Sequence, residues 1–572
     1  MDPKEQQVKF IMSEIELTNE EINQDNKFDL SIWRSMDQRI EMVQDPDCPV
    51  EVIEVVIEHD EDQQVVLGTL LSRHMNDERL QLISDKHGYT IKELKDKRKA
   101  MIALKDDART KVFCGVPWNH VSTNANGSIR MCCQMINSDG FEGEEAFGTV
   151  FKDDGNVLTT MDDLSQHRNA KQWKRLRKEM MQGIKSPICK LCWDEEDNGI
   201  GSRRQWTNDI FNDLFERAVI NTSDDGTIHH KDFPIEHWDL RFGNKCNLAC
   251  RSCGPGDSDL WYKDFVAMNE RDTFHTRGVG EVKIDIDDKG KASIKDSPFE
   301  WFNKGDLLST VQKSLHEIKR FYFTGGEPTV NLTHRKLLQY AIDNNYAKNI
   351  TLDYNTNMAG VPKAIFEQWK HFKQVNLGMS IDGIYEHFEY IRYPGKWPTA
   401  HRNMLRVDKE EGFENCSANI TMTVSIMNIL HVLDMQWWMK EQGWDRINEN
   451  IIIHNLYGPR HLNTQNMPTA MKTYVTDRYN KFFKDIKKQW PDDLAWSRLV
   501  EKRFQSILQH MNGSEGDPAD WKNWFVQGQK LDGIRNENWK ESLPEIQQMI
   551  TFCQGREGRK RDVKLVSANK RK

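Results

Sequence analysis

Three cysteines in one short segment are the side chains of this sequence with the clearest chemistry. Cys246, Cys250 and Cys253 stand in the run CNLACRSC, with three and then two residues between them. Three thiolates in one loop can bind three irons of a four-iron cubane and leave the fourth iron open for a ligand. The same spacing is also consistent with a zinc knuckle that takes its fourth ligand from elsewhere in the chain.

A diglycine turn follows the next predicted strand. The run RFYFTGGEPTVN contains Gly325, Gly326, Glu327 and Pro328. Two glycines let a ligand approach the backbone closely, and the amides that they expose can hydrogen-bond a small polar group. A Gly-Gly turn alone is weak evidence. Its position one strand after the cysteine loop, at the same end of a sheet, points to one shared site.

A second group of cysteines precedes this segment. Two of them belong to turns rich in Gly and Asn, and two form a C-x-x-C pair in the run CKLCWDEEDNGIGSRRQ. Four soft ligands of this kind can complete a closed zinc or iron–sulfur site. The four candidate ligands are Cys114, Cys132, Cys189 and Cys192.

Short apolar strands alternate with amphipathic helices from about residue 236 onwards. The predicted strands are 237–242, 320–324, 350–355, 375–381, 419–426 and 450–456. The predicted helices between the later strands lie near 334–346, 362–372, 399–411 and 431–442. This alternation predicts an α/β fold with a parallel sheet, and six units fit a partial (β/α)6 TIM-like barrel. Such barrels carry their active sites at the C-terminal ends of the strands, where the cysteine loop begins.

The sequence resembles the radical S-adenosylmethionine (SAM) enzymes. The three-cysteine loop and the Gly-Gly-Glu-Pro turn match that family's motifs in the family's order. The resemblance implies a [4Fe-4S] cluster on Cys246, Cys250 and Cys253, which act as the catalytic cysteines, with SAM chelating the fourth iron. It also implies that reductive cleavage of SAM gives a 5′-deoxyadenosyl radical, which removes a hydrogen atom from the substrate.

The same resemblance implies the residues that bind SAM. In the family, the segment around the diglycine turn binds the methionine amino group, and polar residues at later strand ends line the ribose and the carboxylate. The residues implied are Gly325, Gly326, Glu327, Pro328, Asn357, Ser380 and Asp382. The last three are also consistent with helix caps. One position departs from the family, since Ser252 stands before the third cysteine where an aromatic residue is common.

The second cysteine group resembles the SPASM and twitch modules, which accompany peptide-modifying radical SAM enzymes. The Gly-x4-Cys turn that begins at Gly127 and the C-x-x-C-W segment with trailing Glu, Gly and Ser-Arg match those modules, and the spacing favours Cys132 over Cys133. Four cysteines imply the shorter twitch form with one auxiliary [4Fe-4S] cluster. The module usually follows the barrel, whereas here it precedes it, and a structural zinc site stays open as the alternative.

Composition and charge limit the class of protein and the organisation of the rest of the chain. The 572 residues are 38% hydrophobic and 29% charged, without a spanning apolar run or a secretory signal, so a cytoplasmic protein with no membrane partner is expected. Residues 1–62 contain 18 acidic and 5 basic side chains. The expected organisation is an acidic helical accessory domain at 1–105, a twitch-like iron–sulfur module at 106–230, the barrel at 231–460, a helical C-terminal region at 461–555 and a basic tail at 556–572.

The expected partners follow from these assignments. The resemblance implies a peptide or protein substrate, modified by crosslinking, epimerisation or oxidation, and a one-electron reductant such as flavodoxin or ferredoxin. The basic tail contains no interleaved aromatic residues, which disfavours nucleic acid as a partner. A non-catalytic iron–sulfur electron carrier and a zinc-stapled binding protein are the alternative functions.

Anaerobic reconstitution with iron and sulfide tests the two predicted clusters. We expect about eight irons per chain, because two four-iron cubanes are predicted. A count of about four irons would show that one of the two sites does not hold a cluster.

Overall fold

The computed structural model describes residues 107–132, 134, 161–197, 201–276, 279–303 and 307–554. The predictions for 1–105 and 556–572 lie outside the described residues, and so does Cys133. The chain divides into two compact units. The first unit comprises Met1–Gly115 and Arg175–Gly226, and the second comprises Val116–Lys174 and Thr227–Lys572.

Twelve β-strands are formed by the described residues. In chain order they are β1 (His120–Thr123), β2 (Ile129–Arg130), β3 (His237–Leu240), β4 (Thr273–Thr276), β5 (Gly280–Lys283), β6 (Asp285–Ile286), β7 (Ala292–Ser293), β8 (Arg320–Phe323), β9 (Thr351–Thr356), β10 (Gln374–Ser380), β11 (Cys416–Val424) and β12 (Ile447–Asn455).

Eight of these strands form one sheet in the order β12-β11-β10-β9-β8-β3-β1-β2. All neighbours in it are parallel except β1 and β2, which form a hairpin. The six strands predicted from the sequence are β3 and β8 to β12, so the predicted α/β class with a parallel sheet is confirmed. Strands β1 and β2 were not predicted, because runs of four and two residues are too short to show a periodicity.

Eighteen α-helices occur in the described parts of the chain, and none of them is long and apolar enough to cross a membrane. They are α1 (Val116–Asn119), α2 (Met161–Arg168), α3 (Lys171–Met181), α4 (Lys190–Asp197), α5 (Arg203–Ile210), α6 (Leu214–Asn221), α7 (Trp261–Asn269), α8 (Leu307–Lys313), α9 (Leu332–Asp343), α10 (Lys363–Trp369), α11 (Glu386–Ile391), α12 (Trp397–Lys409), α13 (His431–Glu441), α14 (Thr469–Gln489), α15 (Leu494–Asn512), α16 (Pro518–Arg535), α17 (Trp539–Ser542) and α18 (Pro544–Gln554).

The two faces of the large sheet differ in polarity. On β10, Val375, Leu377 and Met379 are buried, while the alternate residues are partly exposed. The apolar face packs against helices, as where Tyr354 of β9 lies 5.3 Å from the ring of Trp369 in α10. Because side chains alternate along a strand, the apolar residues pack against the helices on one face of the sheet, and the polar residues lie on the other face.

Hydrogen bonds between neighbouring strands order the polar face. Arg320 of β8 forms a two-bond ion pair with Asp353 of β9. The amide of Asn376 on β10 donates to the same carboxylate at 2.9 Å, and Ser417 of β11 donates to Asn376 at 2.8 Å. Four adjacent strands are therefore joined by side chains as well as by their backbone ladders.

The first unit is helical over its described residues and contains α4, α5 and α6. Helix α5 begins at Arg203 because Ser202 forms a capping box with Gln205, in which each side chain bonds the backbone of the other. The cap fixes the residue at which α5 begins, after the end of α4 at Asp197.

Asp408 of α12 aligns the start of β12, and its replacement tests this role. Its Oδ1 accepts the backbone N–H groups of Asp445, Arg446 and Ile447 at 2.8 to 3.2 Å. Burial opposes ionisation of Asp408, but these donors outweigh it and lower the pKa of the carboxyl. We expect Asp408→Ala to reduce the free energy of unfolding by about 3 kcal/mol, measured by urea denaturation at pH 7.

The matched variant is Asp408→Asn, which keeps an oxygen acceptor and loses only the charge. Its expected loss is about 1 kcal/mol. The difference in the free energy of unfolding between wild type and Asp408→Ala is present above about pH 4. It decreases as the pH falls through the lowered pKa of Asp408. Equal losses for the two variants would contradict a capping role.

Candidate functional site

The residues predicted to bind the cluster and SAM lie at one edge of the sheet, within the second unit. The cysteine loop follows β3, the diglycine turn follows β8, Asn357 follows β9, and Ser380 ends β10. These four strands are consecutive neighbours in the sheet. The C-terminal ends of adjacent parallel strands meet at one edge, which is where open α/β sheets bind ligands.

The cysteine loop is held by bonds from the segment that follows it. The Asp259 carboxylate accepts the backbone N–H of Cys246 at 3.1 Å. The indole N–H of Trp261 donates to the carbonyl of Cys250 at 2.9 Å, and Ser258 donates to the carbonyl of Leu248 at 2.6 Å. These three bonds hold the loop backbone and thereby the positions from which the thiols extend.

The diglycine turn packs directly against the start of this loop. The backbone N–H of Glu327 donates to the carbonyl of Lys245 at 2.8 Å. A Cβ added at Gly326, whose φ is +43°, would stand 2.3 Å from that carbonyl oxygen, and one at Gly325 would stand 2.8 Å from the Cβ of Arg241. Only glycine allows the two segments to approach so closely.

Glu327 is the most heavily bonded residue of the predicted site. Its side chain is 2% exposed and accepts Thr329 N and Thr329 Oγ1 at 3.1 and 2.7 Å, Thr356 Oγ1 at 3.0 Å and Asn357 N at 2.7 Å. Burial raises the pKa of Glu327, while the four donors favour its charged form. The carboxylate also caps the short turn that begins at Pro328, so it joins the turn to the end of β9.

Asn357 connects the end of β9 to the cysteine loop. Its Nδ2 donates to the side-chain oxygen of Asn247 at 2.8 Å and lies 3.9 Å from the sulfur of Cys246. Its Oδ1 accepts the backbone N–H of Ala359 at 2.8 Å. The side-chain amide of Asn357 therefore connects the end of β9 to the first cysteine of the loop.

Asp382 and Ser380 lie at the end of β10. Ser380 is partly exposed, and Asp382 is buried. One oxygen of Asp382 accepts the backbone N–H of Thr423 at 2.8 Å, and the other pairs with Arg392 at 2.8 Å. In this arrangement the carboxylate orients the guanidinium of Arg392.

Arg392 is a residue of this site that the sequence analysis missed. Its Nη1 donates towards the sulfur of Cys250 at 3.9 Å. Burial opposes its charge, but the carboxylate of Asp382 and the nearby thiols raise its pKa. An arginine in the otherwise apolar run YIRYP is the signal in the sequence, since charged residues are rarely buried without a partner.

The thiols share one electrostatic environment. Burial, with added repulsion from Cys250 and Glu327, raises the pKa of Cys246. A hydrogen bond between Cys250 and Cys253 lowers the pKa of Cys250 and raises that of Cys253. The three side chains are therefore close enough to influence one another.

The three thiols and Arg392 fit the chemistry of a four-iron cluster. Among the described residues, no three His, Cys, Asp or Glu side chains converge closely enough to hold a single metal ion. In a cubane each thiolate binds a different iron, so the three sulfurs need not converge on one point. Arg392 places a positive charge beside the thiols, which offsets the negative charge of a thiolate-bound cluster.

Three of the four cysteines predicted for the auxiliary site lie in the first unit. Cys189 ends a short 3-10 helix, and Cys192 lies in α4. Burial, then the charges of Cys114 and Cys192, raise the pKa of Cys189, so these three thiols are neighbours. Cys132 follows β2 and belongs to the second unit.

Arg204 organises the segments that carry these three cysteines. Its guanidinium pairs with Glu196 at 2.9 and 2.5 Å and donates to the carbonyl of Phe113, the residue before Cys114, at 2.8 Å. It also lies 5.1 Å from the ring of Trp193, which follows Cys192. Arg204 therefore contacts both the Trp and the Glu of the C-x-x-C-W segment.

Comparisons with known proteins gave matches among solved structures alone. No family model and no curated protein matches the sequence. "Native anSMEcpe with bound AdoMet" is 18% identical, with 45% of this chain and 61% of that chain covered and a TM-score of 0.28. Streptococcus suis SuiB bound to precursor peptide SuiA is 11% identical, with 55% and 63% covered and a TM-score of 0.27. The chain thus spans less than two thirds of either protein.

Replacing Glu327 by Gln tests whether its carboxylate holds the site together. The amide keeps one oxygen, but its NH2 group then faces one of the backbone or hydroxyl donors. We expect a loss of about 2 kcal/mol in the free energy of unfolding of the metal-free protein, measured by urea denaturation. The exposed Glu411 offers the control, because Glu411→Gln should change stability by less than about 0.5 kcal/mol. Equal stability of the two variants would show that the four bonds contribute nothing.

Proposed function

We propose that the protein is a radical SAM enzyme that modifies an unreactive C–H bond of a peptide or protein substrate. Cys246, Cys250 and Cys253 hold a [4Fe-4S] cluster, and the edge of the sheet next to them binds SAM. With the cluster and SAM bound, transfer of one electron to SAM breaks a C–S bond and yields methionine and a 5′-deoxyadenosyl radical, which takes a hydrogen atom from the substrate.

One observation carries this proposal. The cysteine loop, the diglycine turn and the end of β9 are joined by Glu327 and Asn357 into one continuous hydrogen-bonded set. These segments are separated by up to about a hundred residues in sequence, and each contains a motif that the family resemblance singles out. A chance diglycine turn has no reason to lie against the first residues of a three-cysteine loop.

The residues of the chain have distinct tasks in this proposal. The three thiolates bind three irons and leave one iron free. Gly325 and Gly326 let the turn pack against Arg241 and the start of the cysteine loop, and we propose that the turn backbone binds the methionine part of SAM there. Arg392, oriented by Asp382, balances the negative charge at Cys250. Asn357 and Ser380 offer polar groups at the same edge.

The first unit supports the proposed class of substrate. Cys114 and Cys192 lie near enough to Cys189 for their charges to add to the effect of burial and raise its pKa, which favours an auxiliary [4Fe-4S] cluster here. The segment that carries them resembles the modules of peptide-modifying enzymes, which is why we propose a peptide or protein substrate. A flavodoxin or ferredoxin is the proposed class of electron donor, because each delivers single electrons at low potential.

SAM cleavage is the direct test of this function. We expect anaerobically reconstituted protein, reduced with dithionite, to convert SAM to 5′-deoxyadenosine, detected by mass spectrometry. Cys250→Ala should reduce the yield at least about a hundredfold, since removal of one thiolate ligand disrupts the cluster. Cys553→Ser is the matched control, because Cys553 lies at the C-terminal helix α18, where its thiol donates to the carbonyl of Ala470.

Two other results would replace the proposal. Iron and sulfide without 5′-deoxyadenosine would favour a non-catalytic electron carrier. Zinc in place of iron and sulfide in anaerobically prepared protein would favour a zinc-stapled binding protein.

A further inference from the structure

A cavity of about 240 Å³ lies beside the cysteine loop in the second unit. Cys253 forms part of its wall, together with Trp261 and Phe265 of α7. The helices α16 and α17 also contribute to its wall, through Trp524 and Trp539. The lining is therefore largely apolar and includes several aromatic rings, although the cavity lies next to a predicted cluster ligand.

The wall contributed by the C-terminal helices is attached to the cysteine loop itself. Arg251, which stands between the second and third cysteines, pairs with Asp532 of α16 at 2.5 Å and with Glu537 at 2.7 Å. Its guanidinium lies 3.6 Å from the ring centre of Tyr390. These contacts hold both sides of the cavity in one fixed geometry, so its shape is set before a ligand enters.

A glycine inside α16 keeps the cavity open. Gly528 lines it from the middle of the helix, and a Cβ added there would meet no described atom within 4 Å. Glycine is unfavourable inside a helix, because it loses more backbone freedom than other residues on folding. Because Gly528 lines the cavity and no described atom fills the space beside it, a larger side chain at this position would occupy part of the cavity.

The size of the cavity limits what it can hold. An engineered apolar cavity of about 150 Å³ binds benzene, and sites for drug-sized ligands are about 300 Å³ or more. A volume of about 240 Å³ therefore fits one ring with its methylene group, and not a whole nucleoside.

Several polar groups of the lining have partners within the protein, whereas the ring of His461 has no hydrogen bond to any described residue and is available to a polar ligand. The amide nitrogen of Asn269 donates to the carbonyl of Phe265 at 2.9 Å, and that of Gln527 donates to Asn523 at 3.3 Å. Arg251 is engaged by its two carboxylates. An adenine ring, which has polar atoms along its edge, would leave them poorly bonded here, whereas an apolar ring needs no such partners.

We infer that this cavity binds one apolar aromatic side chain, such as phenylalanine, of the peptide substrate. The inference rests on the proposed function in one respect, which is that the bound peptide is the substrate of the enzyme. A peptide anchored here by one ring brings its neighbouring residues against the cysteine loop, because Cys253 is part of the wall. The pocket then selects which residue of the peptide is presented to the site.

The test uses full-length, anaerobically reconstituted protein and N-acetyl-phenylalaninamide as the probe. Binding is followed by tryptophan fluorescence, since three tryptophans line the cavity. We expect Gly528→Leu, which fills part of the space, to weaken binding by about tenfold or more. Gly533→Leu is the matched control: Gly533 lies in the same helix, an added Cβ there also meets no described atom within 4 Å, and it is not part of the lining. It should bind the probe as wild type does.

Each other result overturns the inference. It is wrong if the wild-type protein does not bind the probe, or if Gly528→Leu binds it as tightly as the control variant does. It is also wrong if Gly528→Leu weakens the binding of adenosine and not of the probe, because the cavity would then hold a nucleotide base. Thermal melting of both variants shows whether they fold.

The proposed function is tested separately. SAM cleavage by the wild-type protein without peptide reports on the radical chemistry alone. If 5′-deoxyadenosine forms but the two glycine variants bind the probe equally, the pocket inference fails and the function stands. If no 5′-deoxyadenosine forms and probe binding is lost only in Gly528→Leu, the apolar pocket stands and the radical function fails.

Discussion

A buried carboxylate with four hydrogen-bond donors joins the parts of this site. Glu327 accepts donors from its own turn and from the end of β9, while its backbone N–H bonds the residue before the first cysteine. A charge this deeply buried is stable only if its bonds are satisfied, so the strand ends must keep their relative positions. The diglycine turn has room beside the cysteine loop only in that arrangement.

The C-terminal helices belong to the same arrangement. Arg251 of the cysteine loop forms ion pairs with Asp532 and Glu537. Arg535 of α16 pairs with Asp264 of α7 at 2.8 Å. These ion pairs are largely buried, and removing one partner would leave an uncompensated charge. The helices thus stabilise the loop through buried ion pairs and contribute to the wall of the cavity beside it.

The sequence was sufficient to predict local features, such as strands and motifs, and insufficient to predict contacts between distant residues. Alternation of strands and helices predicted the six parallel strands, and spacing identified the cysteine loop and the diglycine turn. The contact of Arg251 with Asp532 and that of Arg392 with Cys250 could not be predicted, because the partners lie more than a hundred residues apart in the chain. The short strand β1 gave no periodic signal, and its place beside β3 depends on pairing alone. The roles assigned to Asn357, Ser380 and Asp382 stay predictions.

Mössbauer spectroscopy of protein reconstituted with 57Fe is the most direct test of the central claim, which is a cubane bound by three cysteines with one iron open to SAM. The variant Cys189→Ala removes the predicted auxiliary site and leaves one cluster to observe. We expect the addition of SAM to shift about one quarter of the iron signal, because one iron of four gains new ligands. A spectrum that SAM leaves unchanged, with all irons equivalent, would show a closed cluster and contradict the proposed chemistry.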